Sequence, residues 1–457
     1  MPPDLSKPGY ALWTIGCQMN EADARTVAMH LEAHGFQPVP EVEAEVIIVT
    51  SCVVRQQAED KVLGRLRHLE AEKRRRPGLR IALMGCLVGM RPSNELRNRF
   101  PFVDVFLPPS DPQPLIDWLS QTGIRDGPET AVQPDAGCGL DAIALPPSRS
   151  GDVSVHVPVV LGCSHACAYC IIPQRRGRER SRSREDILNE VWRLASQGVR
   201  EIILLGQIVD RYGQDLQPPR TLADLLRDLA EIEDLYRVRF LTSHPKYFTD
   251  AVLDAVVDSP RLCPHFVIPI QAGHDDVLAR MRRGYTVDEY RHLIHRIRSR
   301  IQDAAIQTDL IVGFPGETEA QFEDTVGLVE ELCFDKIHLA KYSPRPGTFA
   351  ELRYPDDVSA EEKERRRIRI ESIQKEIQSR ANKRYFGQIV EVLVEQADLK
   401  RPNRWRGRTP EDRLVFIDSE TPLKGHRVSI RITWTGPFTL LGEPVKDGTA
   451  RRLLRPE

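Results

Sequence analysis

The middle of the chain, about residues 153–342, alternates short apolar runs with helix-like stretches, and this alternation constrains the fold most. The strand candidates are Val155–Leu161, Glu201–Leu205, Val238–Thr242, Phe266–Ile270, Ile306–Val312 and Ile337–Tyr342, with helix-like stretches such as Arg184–Gln197, Val287–Arg300 and Glu319–Leu332 between them. Such alternation predicts a parallel sheet. Six repeats are fewer than the eight of a closed barrel, so the pattern indicates an open, partial barrel, with a doubly wound sheet as the alternative.

A tight cysteine group follows the first of these strand candidates. Cys163, Cys167 and Cys170 form a CxxxCxxC pattern. Three thiolates at this spacing suit three corners of a cubic iron–sulfur cluster, whose fourth iron is then open to a small molecule. A zinc site completed by His165 is the alternative, but structural zinc sites usually pair two CxxC knuckles and no second knuckle follows. The pattern therefore favours a cluster enzyme.

A second cysteine set depends on the fold of residues 7–121. Strand candidates Tyr10–Ile15, Val46–Thr50 and Ile81–Met84 alternate there with the helix-like stretches Glu21–His34 and Gln56–Arg75, which predicts a small parallel, Rossmann-like α/β domain. Cys17, Cys52 and Cys86 each follow one of the strand candidates. Because the carboxyl ends of parallel strands meet at one edge, these cysteines are expected to converge and hold a second cluster. Three independent core cysteines are the alternative.

The rest of the chain divides into a linker, the core and a small C-terminal unit. Residues 122–150 are rich in Gly, Pro, Asp and Ser and predict a linker, and the core is placed at residues 151–380 with a charged helix, Val358–Arg384, near its end. Residues 381–450 predict a small, OB-like β-barrel, with strand candidates at Ile389–Val394, Arg413–Ile417, Val428–Thr433 and Phe438–Leu441. The cysteines Cys138, Cys263 and Cys333 share no spacing and are interpreted as structural.

Composition limits the class of protein. The chain has 457 residues, long enough for about three domains, and 41% of them are hydrophobic. No apolar run approaches the roughly 20 residues of a membrane span, and the first ten residues carry no signal-peptide pattern, so we expect a cytoplasmic protein without a membrane partner. In a reducing compartment nine cysteines indicate metal or redox chemistry. Since 64 basic residues nearly balance 66 acidic ones, any basic surface is local.

Taken together, these motifs resemble the radical SAM methylthiotransferases. The resemblance rests on Gly16–Asn20, Thr50–Arg55, Gly85 with Cys86, the CxxxCxxC group with Tyr169, Pro269–Gly273, Asp309–Thr318 and Tyr342–Gly347. It covers nearly the whole chain in the family's domain order. It implies an N-terminal methylthiotransferase domain, a partial TIM-type (βα)6 radical SAM core and a C-terminal TRAM β-barrel that binds RNA.

The resemblance also implies cofactors and partners. Two [4Fe-4S] clusters and S-adenosylmethionine are expected: the core cysteines hold the cluster that cleaves S-adenosylmethionine to a 5′-deoxyadenosyl radical, and the N-terminal cysteines hold an auxiliary cluster that carries sulfur. Beyond the cluster ligands we assign no catalytic residue. The predicted cofactor-binding residues are Tyr169, Gly206, Gln207, Ser243, Gln271 and Gly313. Expected partners are tRNA, an external electron donor of flavodoxin or ferredoxin type, and donors of sulfur and of iron–sulfur clusters, with the enzyme as a monomer.

Two basic stretches indicate the substrate. Arg175, Arg176, Arg178 and Arg180 follow the cluster loop, where arginines suit RNA phosphates, although a solvated charge run is the alternative. This string closely resembles the family members that methylthiolate C2 of N6-isopentenyl-adenosine next to the tRNA anticodon. A second RNA contact is predicted for a basic loop with Arg404, Trp405 and Arg406, unless Trp405 packs onto the barrel.

Three other functions stay open at this point. Within the family the substrate is alternatively N6-threonylcarbamoyl-adenosine in tRNA, or an aspartate of a ribosomal protein. Outside enzymes, an iron–sulfur RNA-binding protein that senses oxidation also needs clusters. Such a sensor has no use for a six-unit barrel opening onto a cluster with a free iron, and it forms no 5′-deoxyadenosine.

Overall fold

The computed structural model describes residues 7–53, 56–122 and 151–445. Apart from Thr122, the predicted linker lies outside the described residues, as does Cys138. Within the described ranges, no helix is both long enough and apolar enough to cross a membrane.

The N-terminal part is a five-stranded parallel sheet with helices on both faces. Its strands are β1 (Gly9–Thr14), β2 (Gln37–Pro38), β3 (Val46–Ser51), β4 (Arg80–Gly85) and β5 (Val105–Leu107), and its helices are α1 (Gln18–Ala33), α2 (Gln56–Arg75), α3 (Asn94–Arg99) and α4 (Gln113–Gln121). The strand order is β2-β1-β3-β4-β5. All six residues of β3 are buried, because apolar clusters cover both faces of the sheet. The predicted parallel α/β fold is confirmed.

The central part is a partial barrel. Its strands are β6 (Ser154–Pro158), β7 (Val160–Leu161), β8 (Arg180–Ser181), β9 (Glu201–Leu205), β10 (Arg237–Phe240), β11 (His265–Val267), β12 (Ala305–Val312) and β13 (Lys336–Lys341). Its helices are α5 (Ile172–Arg176), α6 (Arg184–Ser196), α7 (Leu222–Ala230), α8 (Asp250–Asp258), α9 (Asp275–Arg280), α10 (Val287–Arg300), α11 (Glu319–Leu332), α12 (Phe349–Arg353) and α13 (Ala360–Lys383).

Six parallel strands of this part form the barrel wall. They pair as β6-β9-β10 and as β11-β12-β13, and a parallel bridge from Val238 to Leu262 connects the two sets. Capping boxes at Thr221, Thr286 and Thr318 fix the starts of α7, α10 and α11. The wall therefore has two edges, β6 and β13, and the predicted partial (βα)6 barrel is confirmed over the doubly wound alternative.

The C-terminal part is a closed five-stranded β-barrel. Its strands are β14 (Ile389–Ala397), β15 (Arg404–Arg408), β16 (Leu414–Asp418), β17 (Arg427–Thr435) and β18 (Leu440–Pro444), in the order β14-β15-β16-β18-β17. The stretch around Trp405, predicted as a loop, is strand β15, which pairs with both β14 and β16. The prediction was wrong because Trp405 packs against the small apolar core of this barrel and makes the basic stretch a half-buried strand.

Buried arginines join the three parts. Arg239 bonds Glu201 at 2.8 Å and donates to the carbonyl oxygens of Thr409 and Pro410, so the C-terminal barrel sits at the amino ends of the central strands. Losing one partner of such a buried pair costs about 3–5 kcal/mol. On the N-terminal side, Arg25 donates to Glu190 at 3.0 Å. These contacts hold the C-terminal barrel and helix α1 of the N-terminal part against the central part.

Candidate active site

The three N-terminal cysteines lie at one edge of the parallel sheet. Cys17 lies between β1 and α1, whereas Cys52 and Cys86 directly follow β3 and β4. The Cys17 thiol hydrogen-bonds that of Cys52, which lowers the pKa of Cys17 to about 6 against the opposing effect of burial. Gly16 permits this approach: its φ is +129°, and a Cβ there would lie 2.6 Å from the Cβ of Cys52. Sheet topology thus gathers residues that are far apart in the sequence.

Arg176 links this edge to the central barrel and corrects one prediction. It was expected to contact RNA, but its side chain is only 3% exposed. Its Nε lies 3.3 Å from Cys86 Sγ, and its Nη2 lies 2.9 Å from both Asn20 and Asp23. Burial disfavours its charge, yet Asp23 and the thiols of Cys86 and Cys17 raise the pKa of Arg176 above the ordinary arginine range. The carboxylate of Asp23 and the cysteine thiols therefore hold the Arg176 side chain in the interior and not at the surface.

The core cysteines lie in the loop between β7 and β8. These two strands pair antiparallel and close the loop at its base, where Gly162 has a φ of +70° and a Cβ would lie 2.2 Å from the carbonyl oxygen of Arg178. The backbone N–H of His165 donates to Cys163 Sγ at 3.4 Å. Burial raises the pKa of Cys163 to about 11 and that of Cys170 to about 12. These thiols therefore lose their protons only when they bind a metal such as iron.

Arg283 is a site residue that the sequence did not reveal. Its Nη1 lies 3.2 Å from Cys167 Sγ, and the rest of the guanidinium bonds the hydroxyl of Tyr285 and the carbonyl oxygen of Pro269. It is separated from Cys167 by 116 positions and stands in the turn after α9. No spacing pattern connects the two residues, so only the three-dimensional fold shows that this arginine supports the core thiols.

The donor chemistry of both cysteine sets fits iron–sulfur clusters better than zinc. Across residues 7–53, 56–122 and 151–445, no group of three His, Cys, Asp or Glu side chains is arranged to hold a metal ion. Zinc needs its ligands within about 2.3 Å of one centre, whereas the cysteines of a cubic cluster bind separate irons and lie farther apart. Each set offers three thiols with an arginine N–H directed at one sulfur, as sulfur ligands of a cluster require.

A cavity of about 270 Å³ lies between the two cysteine sets. It is lined by Cys17 from the N-terminal edge and by Cys163, Cys167 and Cys170 from the core loop. Five of the predicted cofactor-binding residues also line it, namely Tyr169, Gly206, Gln207, Ser243 and Gln271. Cys17 thus shares one cavity with the three core cysteines, although at least 146 positions separate them in the sequence.

Gly313 differs from the other predicted cofactor-binding residues. Its N–H donates to the Glu317 carboxylate at 2.6 Å, and a Cβ at this position would lie 2.3 Å from Cγ of Lys363. Since α13 covers this glycine and its N–H already has an acceptor, Gly313 shapes the turn after β12 and does not line the cavity. Gly313 therefore lies outside the cavity that the other five residues line, and its role in cofactor binding stays a prediction.

Polar groups at the ends of β10 and β9 support the cavity wall. The carboxylate of Asp210 accepts the hydroxyl of Ser243 at 3.0 Å and the N–H of His244 at 2.6 Å. Burial raises the pKa of Asp210 to about 7. His244 accepts from the N–H of Lys246 through Nδ1, and its buried Nε2 has no hydrogen-bond partner among the described residues. Because burial lowers the pKa of His244 to about 2, its ring is neutral and offers Nε2 to the cavity.

A larger cavity of about 1270 Å³ lies inside the partial barrel. It is lined by Cys17 and Cys52, by residues of α1 and of all six wall strands, and by Arg406 and Arg408 of the C-terminal barrel. This cavity connects the N-terminal cysteines with the C-terminal barrel through the interior of the six-stranded wall.

The remaining predicted RNA-binding residues differ in whether their side chains are exposed or are bonded to other residues of the protein. Arg178 and Arg180 are exposed, and Arg175 is half-buried. Arg404 is held by Asp418 through two bonds of 2.7 and 2.8 Å. Trp405 donates to the carbonyl oxygen of Ser419 and packs on the barrel, so its alternative, structural interpretation is the one observed. Arg406 is exposed and lines the larger cavity.

Family comparisons match all three parts of the chain. The Radical SAM superfamily matches residues 157–329, the Uncharacterized protein family UPF0004 matches residues 9–108, and the TRAM domain matches residues 383–445. Among solved structures, the radical S-adenosylmethionine methyltransferase TsrM from Kitasatospora setae, with cobalamin and a [4Fe-4S] cluster bound, aligns with a TM-score of 0.54. It is 15% identical, and the alignment covers 76% of this chain and 74% of that one, which indicates a shared fold.

Curated relatives are much more similar in sequence. The tRNA-2-methylthio-N(6)-dimethylallyladenosine synthase of Dehalococcoides mccartyi strain CBDB1 is 45% identical over 95% of this chain and 97% of its own length. The enzyme of the same name from Chloroflexus aurantiacus is 44% identical over 96% of this chain and 92% of its own length. With this similarity over nearly its full length, the chain belongs to the radical SAM methylthiotransferase family.

Proposed function

We propose that the protein is a tRNA methylthiotransferase that adds a methylthio group to C2 of N6-isopentenyl-adenosine next to the anticodon. The dimethylallyl group in the names of its curated relatives is this isopentenyl group. The observation that carries the proposal is the cavity of about 270 Å³, because thiols of both cysteine sets line it. A reaction that combines radical formation with sulfur transfer needs both centres at one enclosed position.

Two [4Fe-4S] clusters and S-adenosylmethionine are the cofactors. Cys163, Cys167 and Cys170 would hold one cluster, and Cys17, Cys52 and Cys86 would hold the other. When bound, these groups supply the reducing electron, the 5′-deoxyadenosyl radical and the sulfur that no side chain can supply. The arginines that donate to Cys86 and Cys167 orient the sulfurs and offset part of their negative charge.

The residues of the cavity bind and position S-adenosylmethionine. Tyr169, Gly206, Gln207, Ser243 and Gln271 form its wall. Gly206 keeps the wall close to Val160 and Val209, since a Cβ there would lie 3.2 Å from each. Thr242 and Gln271 hold left-handed φ values of 69° and 80° at strand ends. Residues with such strained backbone angles are concentrated at active sites and ligand-binding sites.

The tRNA contacts exposed arginines of both the core domain and the C-terminal barrel. The exposed arginines Arg178 and Arg180 follow the core cysteine loop, and Arg406 faces the larger cavity from the C-terminal barrel. Their charges suit phosphates on either side of an adenosine that enters the cavity. We further propose that the enzyme is a cytoplasmic monomer, that a flavodoxin or ferredoxin supplies its electrons, and that separate donors supply its sulfur and clusters.

The decisive experiment uses the anaerobically reconstituted enzyme with S-adenosylmethionine and a reductant. One tRNA carries N6-isopentenyl-adenosine and a second carries N6-threonylcarbamoyl-adenosine, and mass spectrometry of the digested nucleosides detects the added methylthio group. We expect it only on the first tRNA. Modification of the second tRNA alone would overturn the substrate assignment, and absence of both the product and 5′-deoxyadenosine would favour a redox sensor.

A further inference from the structure

Arg176 occupies an unusual position for a charged residue. It closes α5, only six positions after Cys170, but its guanidinium lies inside the N-terminal edge. The side chains of Arg176 and Asp23 are each 3% exposed, and Ser110 bridges them with bonds to both. The charge of Arg176 is therefore buried at the boundary between the N-terminal domain and the core domain.

The contacts of Arg176 reach all three N-terminal cysteines. It contacts Cys86 Sγ directly at 3.3 Å. Through Nη2 it donates to Oδ1 of Asn20, and the amide nitrogen of Asn20 donates to the carbonyl oxygens of Ile15 and Ser51. Ile15 stands two positions before Cys17, and Ser51 directly precedes Cys52. One guanidinium from the core domain thus holds the strand ends that carry the three thiols.

We infer that Arg176 is a positioning residue for the auxiliary cluster, and that its buried charge sets the reduction potential of that cluster. This inference rests on the proposed function, because it takes Cys17, Cys52 and Cys86 as ligands. Adding an electron makes a cluster more negative, so a nearby cation stabilises the reduced form and raises the potential, whereas Asp23 has the opposite effect. Both effects are strong at this site, because few water molecules screen charges in a buried site.

The opposite signs of the two charges make the inference testable. The experiment uses the full chain with Cys163, Cys167 and Cys170 replaced by Ala, so that only the auxiliary cluster contributes to the redox signal. In this background Arg176→Met, Arg176→Lys and Asp23→Asn are compared by potentiometric titration followed by electron paramagnetic resonance. Iron content and melting temperature are measured for every variant.

The matched control is Arg345→Met. Arg345 is also buried, and it connects the core to the N-terminal domain through Gln56 and Glu59 of α2. Its replacement should lower the melting temperature and leave the reduction potential unchanged. This control separates a weakened domain interface from the removal of charge beside the cluster.

We expect Arg176→Met to lower the potential by at least ~59 mV, which corresponds to a tenfold change in the ratio of reduced to oxidised cluster. Asp23→Asn should raise the potential, and Arg176→Lys should stay nearer the parent. The inference would be overturned if Arg176→Met and Asp23→Asn shifted the reduction potential in the same direction. It would also be overturned if Arg176→Met kept its iron and left the potential unchanged. If Arg176→Met loses its iron or does not fold, the sign found for Asp23→Asn decides. A parent that binds no auxiliary iron would instead contradict the proposed function.

Discussion

The two cysteine sets of this protein are built in different ways. The core set lies within one short loop, and β7 and β8 close that loop at its base. The N-terminal set is distributed from Cys17 to Cys86 and comes together because β1, β3 and β4 are parallel neighbours. Local spacing therefore defines the first site, whereas the second exists only when the sheet has formed.

Their electrostatic surroundings differ as well. In the core set, burial raises the pKa of Cys163 and Cys170 to about 11 and 12. In the N-terminal set, the bond to Cys52 lowers the pKa of Cys17 to about 6, with a further lowering by the charge of Arg176, whereas burial raises the pKa of Cys86. Since Arg176 belongs to the core domain, the N-terminal site is completed by a residue from outside its own sheet. The core site is supported by Arg283 of its own domain.

Removing the core set should have the largest effect. Replacing Cys163, Cys167 and Cys170 by Ala should leave about four of about eight irons and abolish both 5′-deoxyadenosine and methylthiolated tRNA, because the cluster that cleaves S-adenosylmethionine is gone. Iron analysis and nucleoside chromatography after anaerobic reconstitution measure this. Full iron content in the triple variant would contradict the division into two clusters.

Removing the N-terminal set should have a narrower effect. Replacing Cys17, Cys52 and Cys86 by Ala should also leave about half of the iron, but 5′-deoxyadenosine should still form while sulfur insertion stops. If this variant forms no 5′-deoxyadenosine, its melting temperature distinguishes two cases. A large decrease indicates that the core needs the intact N-terminal edge, and an unchanged value contradicts the assignment of radical formation to the core alone.

A pH series should reveal the titration of the buried carboxylate behind the core site, Asp210. The Asp210 carboxylate accepts from the Ser243 hydroxyl and from the backbone N–H groups of His244 and of Asp210 itself, all of them uncharged donors. Since burial raises the folded-state pKa of Asp210 from 3.8 to about 7, its contribution is fully present below about pH 4 and is lost as the pH rises through about 7. Between low and high pH this contribution of Asp210 changes the unfolding free energy by about 4 kcal/mol.

The measurement is denaturant unfolding of the protein and of Asp210→Asn at several values between pH 4 and pH 8. The unfolding free energy of the parent, relative to that of the variant, should decrease as the pH rises, because the Asn side chain has no proton to lose. Parallel curves for the two proteins would show that Asp210 does not titrate in this range.

Much of this architecture follows from the sequence because strands and helices carry their periodicity locally. Helices α2, α10 and α11 have the predicted limits, and β9 does as well. Strand β5 and the pairing of β15 were missed, because a strand of three residues has little pattern and because arginines conceal a half-buried strand around Trp405. Periodicity reports burial, so it fails where a strand is short or only partly buried.

The site was predictable to the extent that its chemistry is carried by cysteines. Both sets were recognised as candidate cluster ligands, one from its spacing and the other from its relation to strand ends, and their binding of clusters stays a prediction. The roles of Arg176 and Arg283 were not predictable, since an arginine that bonds a distant thiol looks like any other arginine in a basic stretch. The sequence likewise does not show that Lys363 covers Gly313, which places this glycine apart from the other predicted cofactor-binding residues.

The smallest effect concerns the two exposed arginines that follow the core cysteine loop, Arg178 and Arg180. Replacing Arg178 and Arg180 by Gln should weaken tRNA binding and reduce the slope of log K against log salt by about two, roughly one unit for each phosphate that the variant no longer neutralises. Arg184→Gln is the matched control, because Asp228 holds this arginine through bonds of 2.6 and 2.8 Å and leaves it little charge for RNA. Binding is measured at several salt concentrations, together with melting temperature. A slope equal to that of the control would move the RNA surface to the region of Arg406, since that arginine is also exposed and belongs to the C-terminal barrel.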